Sequence, residues 1–91
     1  MHSDPDKMLK QHQKLVHSDN VKVSSHTQRE HGDWYLNTLM IEGHSVPFKY
    51  KRKHVYQTLK GARVNLTYYA STENVAGFEV EIMNVVRIKR S

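Results

Sequence analysis

Ninety-one residues, 37% of them apolar and none of them cysteine, point to one small domain without disulfides or thiolate metal sites. No apolar run approaches the roughly 18 residues of a membrane span, and the opening MHSDPDKMLK lacks a signal-peptide core, so a soluble, cytoplasmic chain is expected. The formal charge of +5 is uneven: residues 1–45 carry five Lys/Arg against six acids, residues 46–91 nine against three.

In chain order, Asp4-Pro5-Asp6 reads as a helix start. Asp4 can cap free amides, Pro5 suits the first helical position and Asp6 faces the positive end of the dipole. Met8, Leu9, His12, Leu15 and Val16 follow on one face, predicting a helix from about Pro5 to His17 stopped by Ser18-Asp19-Asn20. Residues 1–20 therefore read as a helical arm ahead of a domain over 21–91. Val21, Val23, Ser25 and Thr27 alternate as a short, weak strand, and Gln28–Gly32 as a polar loop.

Asp33–Glu42 (DWYLNTLMIE) is a strong strand, with Tyr35, Leu39 and Ile41 on one side and Leu36 and Met40 on the other. A strand apolar on both faces is normally covered on both, and the N-terminal helix is the expected cover. Glu42-Gly43-His44-Ser45 is a hairpin connection. Val46, Phe48 and Tyr50 then alternate with Pro47, Lys49 and Lys51, apolar inside and lysine outside. Pro47 lacks an amide proton, which predicts an edge strand or a bulge.

Val55, Tyr56 and Leu59 have helical spacing ahead of Gly61, so Lys53–Lys60 reads as one or two helical turns. Ala62–Tyr69 is a strand with Val64, Leu66 and Tyr68 facing one way and Arg63, Asn65, Thr67 and Tyr69 the other. Ala70–Gly77 is a polar connection. Phe78–Ile88 is the longest strand, its Phe78, Val80, Ile82, Val86 and Ile88 on one parity and Glu79, Glu81, Arg87 and Lys89 on the other. The apolar side breaks at Asn84, which predicts a bulge or strong coil there. The sum is a mainly β fold with an N-terminal helix: a small curled antiparallel sheet or an OB- or SH3-like barrel of about five strands. An open sheet with the helix packed on it is the alternative.

The strongest functional signal is the interval Gly43–Thr72, which contains no acid. Its outward parity presents Lys49, Lys51, Arg63, Asn65 and Tyr69, and its connection adds Arg52, Lys53 and Lys60. Lysine and arginine neutralise phosphates and an outward tyrosine can stack on a base, so these eight residues form a candidate site for RNA or single-stranded DNA. Phe48 and Tyr50 lie opposite the lysines and belong to the core. The other reading is a protein-interaction or assembly module, joined through strand 33–42, the Pro47 strand or the helical arm.

Catalysis is not expected, nor a cofactor. The His-Ser-Asp tripeptides at 2–4 and 17–19 hold triad residue types, but adjacent side chains cannot converge on one proton path. Glu79 and Glu81 share a strand face without a cleft and read as partners for nearby cations. Among seven histidines, His12/His17 and His26/His31 are five apart, a spacing that suits neither a helical nor a strand ligand pair, and no metal site is expected.

The segments GDWYLNTLMIEG, VPFKYKRK, LKGARVNLTYY and GFEVEIMNVVRI resemble the core of a group of small bacterial proteins. The resemblance spans about residues 32–90. It implies a bacterial origin and assigns no activity and no residue roles.

Overall fold

A computed structural model of the protein describes residues 14–91. Five strands make up the fold: β1 (Val16–His31), β2 (Trp34–Ile41), β3 (Phe48–Arg52), β4 (Arg63–Val75) and β5 (Phe78–Arg90). They form one mixed sheet closed into a ring in the order β1-β2-β3-β5-β4, with β4 returning to β1. All neighbours are antiparallel except β3 and β5, which run parallel through Phe48↔Met83 and Lys49↔Asn84.

The inward parity of four strands fills the ring. Val23 of β1, Leu39 and Ile41 of β2, Phe48 of β3, and Val64, Leu66 and Tyr68 of β4 make one buried cluster. Tyr50, Leu59, Met83, Val85 and Ile88 pack against it half-buried. Phe48 and Tyr68 meet edge to face with centroids 4.8 Å apart, a preferred aromatic geometry, and the Tyr68 hydroxyl bonds Ser18 Oγ at 2.9 Å. The alternations read from the sequence for β2, β3 and the first half of β4 are those observed.

β1 departs most from expectation. It is sixteen residues long with only Val23 buried, and it takes in Gln28–His31, which the sequence presents as loop. Its hold on the fold is hydrogen bonding: Val16–Lys22 pair with β4, and Val23–His31 with β2. One polar strand thereby closes the ring. The handover falls between Lys22 and Val23, just after a bulge between Ser18 and Val21 where Asn20 takes φ 59°, a left-handed conformation that asparagine tolerates better than most residues. Most of the expected helix from Pro5 to His17 lies outside the described residues; its last positions, Val16 and His17, are in β1, as are Ser18, Asp19 and Asn20. No helix occurs among the described residues.

The expected helical turns over Lys53–Lys60 are also corrected. This segment is an irregular connection in which the Tyr56 and Leu59 amides find partners outside it and the Lys60 amide bonds Thr58 Oγ1 at 3.2 Å. Gln28 of β1 grips Tyr56, donating from Nε2 to its carbonyl at 2.6 Å and accepting its amide at Oε1 at 3.0 Å. The Leu59 amide donates to His26 Nδ1 at 2.9 Å. Side chains of β1 thus replace the carbonyls a helix would use. Leu59 reaches the core, whereas Val55 and Tyr56 stay exposed.

Pro47 does not mark an edge. Its carbonyl accepts the Met83 amide at 2.8 Å, and β3 is paired with β2 on one side and β5 on the other. Nor is Ala70–Gly77 a loose connection. β4 continues to Val75, turns at Ala76-Gly77 and returns as β5, with both turn residues at positive φ (51° and 89°) as a type I′ turn requires. The predicted irregularity in β5 is a bulge at Val86, the extra residue between Arg87, opposite Thr67, and Val85, opposite Tyr68. Phe78 and Val80, expected in the core, are exposed because the β4–β5 hairpin runs past the ring.

Candidate functional site

The outward face of β3, β5 and β4 gathers the basic side chains. Asn84 of β5 lies beside Lys49 of β3 and faces Tyr69 of β4. Arg87 then pairs with Thr67 and Lys89 with Asn65. A cation-rich band therefore crosses three strands, from Lys49 and Lys51 through Arg87 and Lys89 to Arg63. Arg87 and Lys89 are absent from the site read off the sequence. Their signal was their shared parity with Glu79 and Glu81, which suggested a neutralised face. The carboxylates stand on the far part of the strand, and the Val86 bulge shifts the parity between the two pairs, so Arg87 and Lys89 face outward and Glu79 and Glu81 do not.

Several of the eight candidate residues are already engaged. Arg63 donates from Nη1 to the Asn20 carbonyl at 3.0 Å, and Asn65 Oδ1 accepts the Asn20 amide at 2.8 Å. Together they hold the left-handed residue of the β1 bulge, a structural duty. Tyr69 is half-buried, and its hydroxyl accepts from Asn84 Nδ2 at 3.3 Å. Lys49 is paired with Glu73 at 2.6 Å, both side chains about one-third exposed. Lys51, by contrast, projects into solvent with no such partner among the described residues.

The other three stand at a separate place, Arg52 at the end of β3 and Lys53 and Lys60 in the connection that follows. Arg52 lies on the inward parity at the end of β3, its guanidinium 4.8 Å from the Tyr50 ring centroid and Nη1 donating to the Lys51 carbonyl at 3.0 Å. Lys53 sits 4.6 Å above the ring of Trp34, a cation–π contact that orients the only tryptophan beside the β1–β2 turn. Lys60 is at the turn before Gly61. The eight residues are thus divided between the outer face and the connection.

Two hollows interrupt the outer face. One of about 150 Å³ lies over β3, with Leu36, Lys49, Lys51, Ile82, Asn84 and Glu73 in its wall. It explains why Ile82, on the outward parity, is only 6% exposed: the hairpin leans toward the outer face of β2 and β3. A second, of about 200 Å³, lies between β1, β4 and β5 and is walled by His17, Asp19, Thr67, Arg87 and Lys89. Hydrogen-bonding and cationic groups dominate it, with one opposing carboxylate.

No protein-family model, curated protein or solved structure matches the chain. The chemistry of the surface must therefore carry the functional reading. Among the described residues, no group of three or more His, Asp or Glu side chains could hold a metal ion, and no helix is long and apolar enough to cross a membrane.

Proposed function

We propose that the protein is a non-enzymatic binding module that holds single-stranded nucleic acid, RNA or single-stranded DNA, along the outer face of β3, β5 and β4. The observation that carries this reading is the cation-rich band of Lys49, Lys51, Arg87, Lys89 and Arg63 on one continuous face, opposed there by Glu73 and Asp19. Such a band neutralises phosphates and releases their counterions. The ring order β1-β2-β3-β5-β4, with β3 and β5 parallel, resembles the arrangement of an OB-type barrel, a likeness that supports the reading. That architecture commonly takes oligonucleotides over its second and third strands, between the β1–β2 and β4–β5 connections, so the likeness supports the β3 part of the proposed face, Lys49 and Lys51, and leaves β5 and β4 to the charge argument. Here those connections carry exposed Trp34 and Phe78, aromatic surfaces of the kind on which bases stack.

Of the candidate residues, Lys49 and Lys51 join Arg87 and Lys89 as phosphate contacts. Arg63 and Asn65 contribute mainly by holding the β1 bulge. The test is fluorescence anisotropy with a labelled single-stranded RNA, its DNA equivalent and a DNA duplex, across a salt series. The Lys51→Glu, Arg87→Glu, Lys89→Glu triple variant is expected to bind more weakly and to flatten the dependence of log K on log salt by about 2, roughly 0.7 per lost phosphate contact. Unchanged affinity and slope in a folded triple variant overturn the assignment of this face.

A further inference from the structure

We infer that the end of the ring beneath the β3–β4 connection is a binding site for a small planar organic anion, separate from the outer face. A cavity of about 310 Å³ opens there, at the lower end of the size range of small-molecule sites and at the mouth of a ring of strands, where such sites are commonly found. Its wall carries Arg52 and Arg90, with Lys89 at the border it shares with the outer face, and not one carboxylate. The two guanidiniums come from the ends of the parallel neighbours β3 and β5. Among the described residues, Arg52 donates one hydrogen bond, to the Lys51 carbonyl, while stacking over Tyr50, and Arg90 reaches the Thr58 carbonyl at a long 3.4 Å. Most of their N–H donors are therefore open to a ligand, and guanidinium forks suit carboxylate and phosphate alike.

The remaining wall fits an aromatic ring. Tyr50, Tyr56, Leu59 and Ile88 line it, and Tyr50 already carries the Arg52 guanidinium over its face. The Tyr50 hydroxyl has no hydrogen-bond partner among the described residues.

The polar floor is held in a fixed state. His26 Nδ1 accepts the Leu59 amide, so its proton must sit on Nε2, which donates to Asn37 Oδ1 at 2.8 Å. Asn37 in turn donates from Nδ2 to the Tyr35 carbonyl at 3.2 Å. The roof is the 53–62 connection: Gln28 holds Tyr56, His26 holds Leu59, Arg90 reaches Thr58, and Gly61 and Ala62 are bonded to the Val23 backbone. Leu59 anchors it in the core, while the part around Tyr56, which is largely exposed and tied by the Gln28 side chain, can move without dismantling that core.

Amide NMR titration of the full chain with adenosine monophosphate, benzoate and adenosine tests the proposal. The expected result is saturable shifts of the Tyr56, Leu59 and Arg90 amides with at least one of the two anions, about tenfold tighter than with uncharged adenosine. An Arg52→Gln, Arg90→Gln variant is expected to lose about tenfold in affinity for that anion while retaining the dispersed wild-type spectrum. Three outcomes overturn the proposal: no saturable shifts with either anion, adenosine binding as tightly as the anions, or shifts confined to Lys49, Arg87 and their outer-face neighbours. The wild-type titration decides the matter even if the double variant does not fold.

Discussion

Replacing Asn37 by alanine tests whether the polar floor of the ring is a stabilising element. Asn37 is 2% exposed and the only polar residue among those fully buried in the described chain. Its removal leaves two groups without their partner: His26 Nε2–H, bonded at 2.8 Å, and the Tyr35 carbonyl, bonded at 3.2 Å. Each costs about 1–3 kcal/mol when fully buried. Both hosts are half-buried and the His26 bond faces a cavity that admits water, so the lower part of that range applies to each. The sum is about 2–3 kcal/mol, or a fall in melting temperature on the order of 10–20 °C for a domain of this size.

Urea unfolding followed by far-UV circular dichroism gives the stability. Asn37→Leu separates the two possible origins of the loss. Leucine fills the volume but leaves the same two groups unpaired, so it is expected to recover little. Hydrogen exchange adds a local reading, because Asn37 fixes the His26 tautomer that accepts the Leu59 amide. The Leu59 amide should lose more protection than Val64 in the same variant. A loss below about 0.5 kcal/mol for Asn37→Ala, or full recovery in Asn37→Leu, refutes the hydrogen-bond argument.

Three further outcomes follow from the same geometry. Burial raises the Tyr50 pKa above its ordinary value, against a smaller lowering by Arg52. The folded chain therefore favours the neutral phenol: this contribution is intact below about pH 10 and declines as pH rises through the raised folded value. Urea midpoints of Tyr50→Phe should accordingly fall less steeply than wild type between about pH 9 and 11, and identical slopes contradict the burial argument. Ala76 occupies the first positive-φ position of the β4–β5 turn, where asparagine before glycine is favoured. Ala76→Asn should stabilise the hairpin by about 0.5–1 kcal/mol, and a lower urea midpoint contradicts it. Glu73→Gln releases Lys49 from its partner and removes an opposing charge. Anisotropy should show single-stranded RNA binding about two- to fivefold tighter, with little change in stability, since half-exposed ion pairs contribute roughly 0–1 kcal/mol; unchanged affinity excludes Lys49 from the contact surface.

The β2, β3 and early β4 alternations were legible because a half-buried strand must place apolar residues at every second position. Leu39, Ile41, Phe48, Val64 and Leu66 all lie inside as that rule requires. The strands over 21–27 and 78–88 were also legible, but the two ends of β1 and the outer part of β4 were not, because little of their stabilisation is apolar burial. Ala70–Val75 is strand since each residue finds a partner on β5, and Gln28–His31 since each finds one on β2. Cross-strand pairing leaves no periodicity in a polar segment. The connection over 53–60 misled for a related reason: helical spacing of Val55, Tyr56 and Leu59 says nothing of Gln28 and His26, twenty-eight and thirty-three residues away from their amide partners.

The candidate site shows the same division. Lys49 and Lys51 could be placed outward from alternation alone. The engagement of Arg63 and Asn65 with Asn20 depends on a bulge and a sequence separation of more than forty residues. Alternation with Ile88 already set Arg87 and Lys89 outward, whereas the Val86 bulge puts Glu79 and Glu81 on the inward parity and Phe78, Val80 and Ile82 on the outward one. An irregularity of one residue separated the two carboxylates from the face of the two cations.

The most direct test of the nucleic-acid reading is an amide NMR titration with a short single-stranded RNA at low and near-physiological salt. The account predicts salt-sensitive shifts at Lys49, Lys51, Asn84, Arg87 and Lys89, extending to Trp34 and Phe78. Absence of shifts at low salt, or shifts elsewhere that are insensitive to salt, contradicts it.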